Sequence, residues 1–169
     1  MQTASLTRTQ TVAQPGPAVS PLPSAGTDGP DGAPGLPGRS PHLELIRRAY
    51  RAFGSRDVAA LLETLAPDVE WIHPDGMTVY GLGGTKHGHA GVRQFLSHVP
   101  NVLGGMRLQP EEFVESGDRV VVFGTRRVTS RSGRTETLSF VHSWTLRDGK
   151  AVRMEDIFDT AALHRLIES

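Results

Sequence analysis

The sequence predicts an α+β domain, with helices first and a bent antiparallel sheet after them, spanning residues 42–169. Three observations carry this. Apolar residues recur at helical spacing in three segments before Val99. From Met106 onward they alternate with polar residues at period two, in runs separated by SGD, RSG and RDG turns. The first 41 residues show neither period: they hold eight of the twelve prolines, six of the nineteen glycines, no aromatic residue, and only Arg8, Asp28, Asp31 and Arg39 as charges. Such a segment cannot bury enough apolar surface to fold and reads as a disordered tail, and its collagen-like GPDGAPGLPG stretch has too few triplets for a triple helix. Helices followed by strands, without βαβ alternation, exclude a doubly wound sheet.

Ser40 and Pro41 are a good N-cap and first-turn pair, and Leu43, Ile46, Tyr50 and Phe53 then define a helix over 41–53. After a break at 54–57, Val58, Leu61, Leu62 and Leu65 mark a shorter helix that Pro67 ends, giving a helical hairpin. Val69 and Trp71 indicate a short strand. HPDGMTVYGLGGTKHGH follows as a long glycine-rich loop, with a brief strand expected around Thr78–Tyr80. Val92, Phe95, Leu96 and Val99 place a third helix at 90–99. Strands are expected at 106–116, 119–130, 134–147 and 150–158, with Asp159 or Thr160 capping a short last helix through Leu163, Leu166 and Ile167.

With 169 residues, 37% hydrophobic and 21% charged, the chain supports one folded domain. Its 18 basic and 18 acidic residues cancel, so no global field favours nucleic acid or an anionic membrane. Absence of cysteine excludes disulfides, thiolate metal sites and cysteine nucleophiles. No apolar run reaches the ~18 residues of a membrane span, and the first twenty residues hold no block resembling a secretory signal; a cytoplasmic location is expected.

Alternation puts Leu138, Phe140, His142, Trp144 and Leu146 on one face of their strand, and Val152, Met154, Asp156 and Phe158 on one face of the next. An imidazole and a carboxylate thus sit in two apolar stripes. A two-residue Asp148-Gly149 turn would set Glu155 across from His142, whereas a three-residue Arg147–Gly149 loop pairs Leu146 with Lys150 and makes both stripes agree. On that register His142 opposes Met154, and His142 and Asp156 are diagonal neighbours. The same arithmetic at Arg131–Gly133 pairs Gly124 with Phe140 and Val122 with His142, and places Arg126 on the inner face. Gly124 in mid-strand opposite a bulky ring marks a close approach.

The helical hairpin, WIHP, GTKHGHAGVRQFL and FVHSWTLRDGKAVRMEDIFDTAAL together resemble the SnoaL-like branch of the NTF2-like, ketosteroid-isomerase-related superfamily. The resemblance covers residues 42–169. It implies an NTF2-like cone, a curved antiparallel sheet closed by helices around one pocket, usually as a homodimer packed through the outer face of the sheet. In the family's aldol polyketide cyclases, an aspartate on the last strand and a histidine on the preceding one carry the acid and base work, and Asp156 and His142 fall on those positions. Relatives that open epoxides use an Asp-Arg-Asp set, of which Arg126 and Asp156 match two members while Val128 occupies the place of the third.

A carboxylate among apolar neighbours is expected to resist ionising, which suits a general base, with the nearby imidazole exchanging a proton at a substrate oxygen. Enolate chemistry of this kind needs no metal or organic cofactor, and none is expected. The leading reading is therefore an acid/base enzyme, a cyclase or isomerase of secondary metabolism, acting on a hydrophobic carbonyl compound, with Asp156 as base and His142 as its partner. Trp71, His73, Tyr80, Arg126, Phe140, Trp144 and Met154 are the expected substrate contacts. Two rivals stand beside it: a binding or dimerisation module without catalysis, and epoxide hydrolysis. His87 and His89, with His73 or Asp75, have spacing that could hold a metal, but the GTKHGHAG segment resembles the family's ordinary helix entry. Gly81–Lys86 lacks the spacing of a phosphate loop, so no nucleotide is implied.

Overall fold

The structure is a computed structural model and describes residues 40–169. The tail expected at 1–41 lies outside the described residues except for Ser40 and Pro41, which begin the first helix. The Ser40 hydroxyl accepts from the Leu43 amide and Pro41 occupies the first turn of α1 (Pro41–Gly54), which buries Leu45, Ile46, Ala49 and Ala52. Asp57 caps α2 (Val58–Glu63) by accepting from the Ala60 amide at 2.9 Å. The helix ends at Thr64, and Pro67 lies within the following strand, β1 (Leu65–His73).

The expected strand at Thr78–Tyr80 is instead a 3-10 helix, Asp75–Tyr80, closed by Gly81 in the left-handed region at φ 73°. A short strand, β2 (Gly84–His87), forms just beyond it and pairs with β1. Helix α3 (Gly88–Val102) is longer than its apolar core suggests and carries Pro100 in its last turns. Four long strands follow, β3 (Leu103–Ser116), β4 (Arg119–Ser130), β5 (Thr135–Arg147) and β6 (Lys150–Phe158), and then α4 (Thr160–Ile167), capped by Asp159.

These strands make one six-stranded sheet of order β2-β1-β6-β5-β4-β3. All neighbours are antiparallel except β1 and β6, which run parallel. That pairing brings the strand after the helical hairpin beside the last strand of the chain. The inner face is apolar, with Val120, Val122, Phe140, Trp144, Leu146, Ala151 and Met154 buried against the helices. None of the helices in the described residues is long and apolar enough to cross a membrane.

The β4–β5 register matches expectation: Val122 opposes His142 and Gly124 opposes Phe140. The β5–β6 hairpin does not. Asp148 (φ 51°) and Gly149 (φ 72°) form a two-residue turn that pairs Arg147 with Lys150, the conformation Asp-Gly favours in a right-twisted hairpin. The stripes still agree because of a bulge. Leu146 pairs with Ala151 but Thr145 with Arg153, so Val152 is the extra residue. Ala151 rather than Val152 then faces the core, and beyond the bulge the register has slipped by one, setting His142 directly opposite Asp156.

Gly124, like Gly104 on β3, sits where the sheet leaves no room for a side chain. A Cβ there would fall against the Gln109 carbonyl oxygen and 2.9 Å from Phe140 Cζ. Gly124→Ala is expected to lower stability by about 1–3 kcal/mol through this overpacking, measured by chemical denaturation. An unchanged midpoint would show that the strand can bend away.

Candidate active site

Four strands and one helix converge on a buried carboxylate. Asp156 on β6 receives a fork from Arg126 on β4, Nη1 donating to Oδ2 at 2.9 Å and Nη2 to Oδ1. Arg126 reaches across β5 to do so, and its guanidinium lies over the rings of Phe158 (4.4 Å) and Phe140 (5.1 Å). His142 on β5, opposite Asp156, places Nε2 3.1 Å from Oδ1. His73, at the end of β1, places Nε2 3.6 Å from Oδ2 and stacks on Phe95 of α3 with ring centroids 4.1 Å apart. Tyr50 of α1 completes the cluster, with its hydroxyl 2.7 Å from His142 Nδ1 and its ring nearly parallel to the imidazole, 7° between the planes. The Asp156 and Arg126 side chains are 2% and 4% exposed, so solvent does little to screen the pair.

Protonation follows from these contacts. Burial opposes charge on Asp156, but the hydrogen bonds and charge offered by His142 and Arg126 outweigh it and hold the carboxyl well below the usual carboxylate range. This reverses the expectation that apolar neighbours would raise it, because Arg126, placed on the inner face from sequence, reaches the carboxylate. Burial lowers the proton affinity of both histidines, His73 to a pKa of about 3, so both are neutral at neutral pH. His142 Nε2 lies 3.1 Å from Asp156 Oδ1 and 3.3 Å from Arg126 Nη2, and the ionised carboxylate, the nearer of the two, draws an N–H toward it, so Nε2 carries the hydrogen. Nδ1 is left to accept from the Tyr50 hydroxyl. Burial keeps that phenol protonated, raising its pKa above the ordinary value. A directed chain results, running from the Tyr50 O–H through His142 to the Asp156–Arg126 pair.

The cluster forms the polar end of a small inner cavity of about 50 Å³, whose remaining wall is apolar and includes Met77, Leu82, Phe95 and Leu163. A larger outer cavity of about 380 Å³ lies between the ends of α1 and α3 and the start of β3. Phe53, Leu61, Val99, Leu103, Met106 and Leu108 border both cavities. A cavity that holds benzene measures about 150 Å³, so a ring reaching Asp156 must displace some of these flexible side chains and extend into the outer space.

A family profile described as a SnoaL-like domain matches residues 46–154, most of the folded part. The chain belongs to the SnoaL-like family. Among solved structures this SnoaL-like chain is similar to TerC, co-crystallised with polyporic acid, at 67% identity and TM-score 0.76, covering 77% of this chain and all of that one. It is also similar to an NTF2-like protein of unknown function from Burkholderia pseudomallei, at 55% identity and TM-score 0.76 over 78% of this chain and all of that one. An uncharacterized protein of Mycobacterium tuberculosis is 29% identical over 129 residues, which is 71% of this chain and 91% of the relative.

Of the residues singled out from sequence, His142, Asp156, Arg126, Trp71, His73, Trp144 and Met154 all line the inner cavity. Phe140 is fully buried beneath it, as a platform for Arg126 and a neighbour of His142, and is not part of the wall. Tyr80 turns elsewhere: its hydroxyl donates to Glu168 at 2.9 Å and meets His164 Nδ1 at 3.1 Å, tying the 3-10 helix to α4. His73 lines the cavity with its side chain 10% exposed. His89 Nε2 bonds the Leu65 carbonyl oxygen, and no group of three or more His, Asp or Glu able to hold a metal occurs among the described residues. Tyr50 went unnoticed in the sequence, where it is one more apolar position of α1; only tertiary contact reveals its role.

The neutral histidines set a pH dependence for the SnoaL-like domain. Unfolded, they bind protons near their ordinary pKa of about 6.5; folded, only well below it, so the unfolded state is the greater proton binder as pH falls. Stability is therefore full above about pH 6.5 and declines below it, by at most about 1.4 kcal/mol per pH unit for each imidazole. Thermal unfolding between pH 7 and 5 should show a falling midpoint, with a shallower fall in His73→Phe. A flat profile, or one that this substitution leaves equally steep, contradicts the assignment of a buried neutral His73.

Proposed function

We propose that the chain is an acid/base enzyme of SnoaL-like type that moves a proton on a flat, hydrophobic carbonyl compound, as a cyclase or isomerase of secondary metabolism. The observation that carries this reading is the Tyr50–His142–Asp156–Arg126 chain, buried at the end of an otherwise apolar cavity. Polar networks of this size are costly to bury and cluster where chemistry is done. The likeness to TerC, crystallised with polyporic acid, supports a flat oxygenated aromatic as the kind of molecule the cavity accepts.

The roles differ in order from those expected from sequence. A carboxylate held ionised by an arginine fork is a weak base. Asp156 instead fixes the tautomer of His142 and stabilises the imidazolium that would form when Nδ1 takes a proton. Tyr50, whose single hydroxyl hydrogen is directed at His142 Nδ1, can pass that proton to the imidazole as its own oxygen takes one from the substrate, and the reverse relay returns a proton to the substrate at another atom. Removing a proton beside a carbonyl and reprotonating elsewhere is isomerisation; letting the enolate attack a second carbonyl is ring closure.

Solvent deuterium exchange tests this whatever the final product. A panel of aromatic polycarbonyl and quinonoid compounds in D2O, followed by mass spectrometry, should reveal a compound whose carbon-bound hydrogens exchange faster with the protein. His142→Ala and Asp156→Asn should lower that rate by about 10²–10⁴-fold while circular dichroism shows the fold intact. Undiminished exchange in both variants, or none with the wild type across the panel, would favour a binding module.

A further inference from the structure

Strand β1 presents two polar groups to the inner cavity that no other part of the fold uses. Among the described residues, the Trp71 indole Nε1 and His73 Nδ1 are both buried and have no hydrogen-bond partner, and the same holds for Arg126 Nε and Trp144 Nε1 across the same cavity. They stand two residues apart on one strand, hence on one face, with ring centroids 6.3 Å apart, and both residues line the cavity. Buried polar atoms in folded proteins are nearly all paired, so two orphans side by side at one cavity wall mark a ligand contact.

Their chemistry is complementary. An indole N–H can only donate. His73 Nε2 faces Oδ2 of an ionised carboxylate at 3.6 Å, so that nitrogen carries the hydrogen and Nδ1 offers a lone pair. The wall therefore pairs a donor with an acceptor, on two rings whose centroids are 6.3 Å apart. We propose that Trp71 and His73 together recognise an enolic hydroxy-carbonyl ring of the hydroxyquinone type, Trp71 donating to the carbonyl oxygen and His73 Nδ1 taking the enolic proton.

The proposal rests on reading the cavity as an acid/base site and adds to it the class of ring and the seat of its proton. In the transfer the ligand O–H bond breaks, its electron pair stays on oxygen, and an N–H bond forms on His73. The imidazolium then lies between two anions, the ligand oxygen and Asp156. A ligand that arrives already ionised obtains the same arrangement by drawing the proton from solvent. Of the charged and titratable groups facing His73, Asp156 on β6 favours the imidazolium, while His142 on β5, Arg126 on β4 and Lys86 on β2 oppose it; α3 contributes the apolar Phe95 ring. Without a ligand, burial and those opposing groups keep His73 neutral. A bound anion reverses the balance.

Proton uptake on binding reads this directly. Polyporic acid and 2-hydroxy-1,4-naphthoquinone, each beside its O-methyl ether, are titrated into the full chain by calorimetry at pH 7 in two buffers of different ionisation enthalpy. Both hydroxyquinones are acidic enough to be anions at pH 7, so the proton that His73 gains comes from solvent: they should bind at least about 10-fold more tightly than their ethers, with close to one proton taken up per ligand. His73→Phe, which keeps the stack on Phe95, should abolish both the uptake and the preference; His73→Gln, polar but not basic, should do the same if the phenylalanine variant fails to fold. Trp71→Phe should weaken both ligands of a pair by a similar factor and leave the proton count unchanged. Neither hydroxyquinone binding, no uptake by the wild type, or uptake persisting without His73 would each overturn the proposal. His142→Ala separates the two readings: exchange lost with uptake retained supports both, exchange undiminished with uptake retained overturns the acid/base reading alone, and exchange that depends on His142 without uptake by the wild type overturns the present proposal alone.

Discussion

The Arg126–Asp156 pair is the interaction on which the rest of the site depends. Moving two charges from water into a protein interior costs several kcal/mol per ion, and the fold offsets this with several contacts at once. The fork is bidentate, the cation lies over two phenyl rings, and the carboxylate accepts further contact from His142 and His73. With Asp156 held ionised, the tautomers of both histidines follow: each turns Nε2–H toward the carboxylate and leaves Nδ1 basic. One nitrogen is then occupied by Tyr50, and the other has no hydrogen-bond partner among the described residues. A single ion pair thus orders the side chains around it, drawn from three other elements.

Backbone geometry makes that pair possible. Arg126 must reach over β5, and the strand it crosses carries Phe140 where β4 carries Gly124, so the ring occupies the space a side chain would have filled. Asp156 faces inward only because Val152 is bulged out of the ladder. Without that extra residue a two-residue turn would bring Glu155 opposite His142, and the charge would sit one position away, on the wrong face. The parallel contact between β1 and β6 supplies the last member, setting Trp71 beside Met154 and carrying His73 toward Asp156.

Much of this was legible from the residues. Period-two alternation located β4, β5 and β6 to within a residue, the Ser40-Pro41 and Asp159 signals located helix starts, and the RSG turn fixed the β4–β5 register that puts Arg126 inside. The stripes themselves named His142 and Asp156 as inner residues. What escaped was non-local. A bulge compensating a tight turn leaves no local signature beyond the demand that apolar faces coincide, and that demand was equally met by a longer loop. Asp156 appeared to have apolar neighbours because its cation lies two strands away, and Tyr50 appeared to be core because helix periodicity does not distinguish a ring that packs from one whose hydroxyl is used. Tyr80 was misplaced for a related reason: nothing in the glycine-rich loop reveals that its hydroxyl is taken up by Glu168 and His164 of the terminal helix region.

The most direct test of the account is a double-mutant cycle on Arg126 and Asp156, read by equilibrium denaturation at pH 7 with Arg126→Met, Asp156→Leu and the combination. If the pair is the buried, mutually compensating interaction described, each single substitution leaves an uncompensated charge and costs about 3–5 kcal/mol, while the double variant costs much less than the sum. Small, additive losses would contradict the account, because they would mean that the two groups do not depend on one another and that the histidines are ordered by something else.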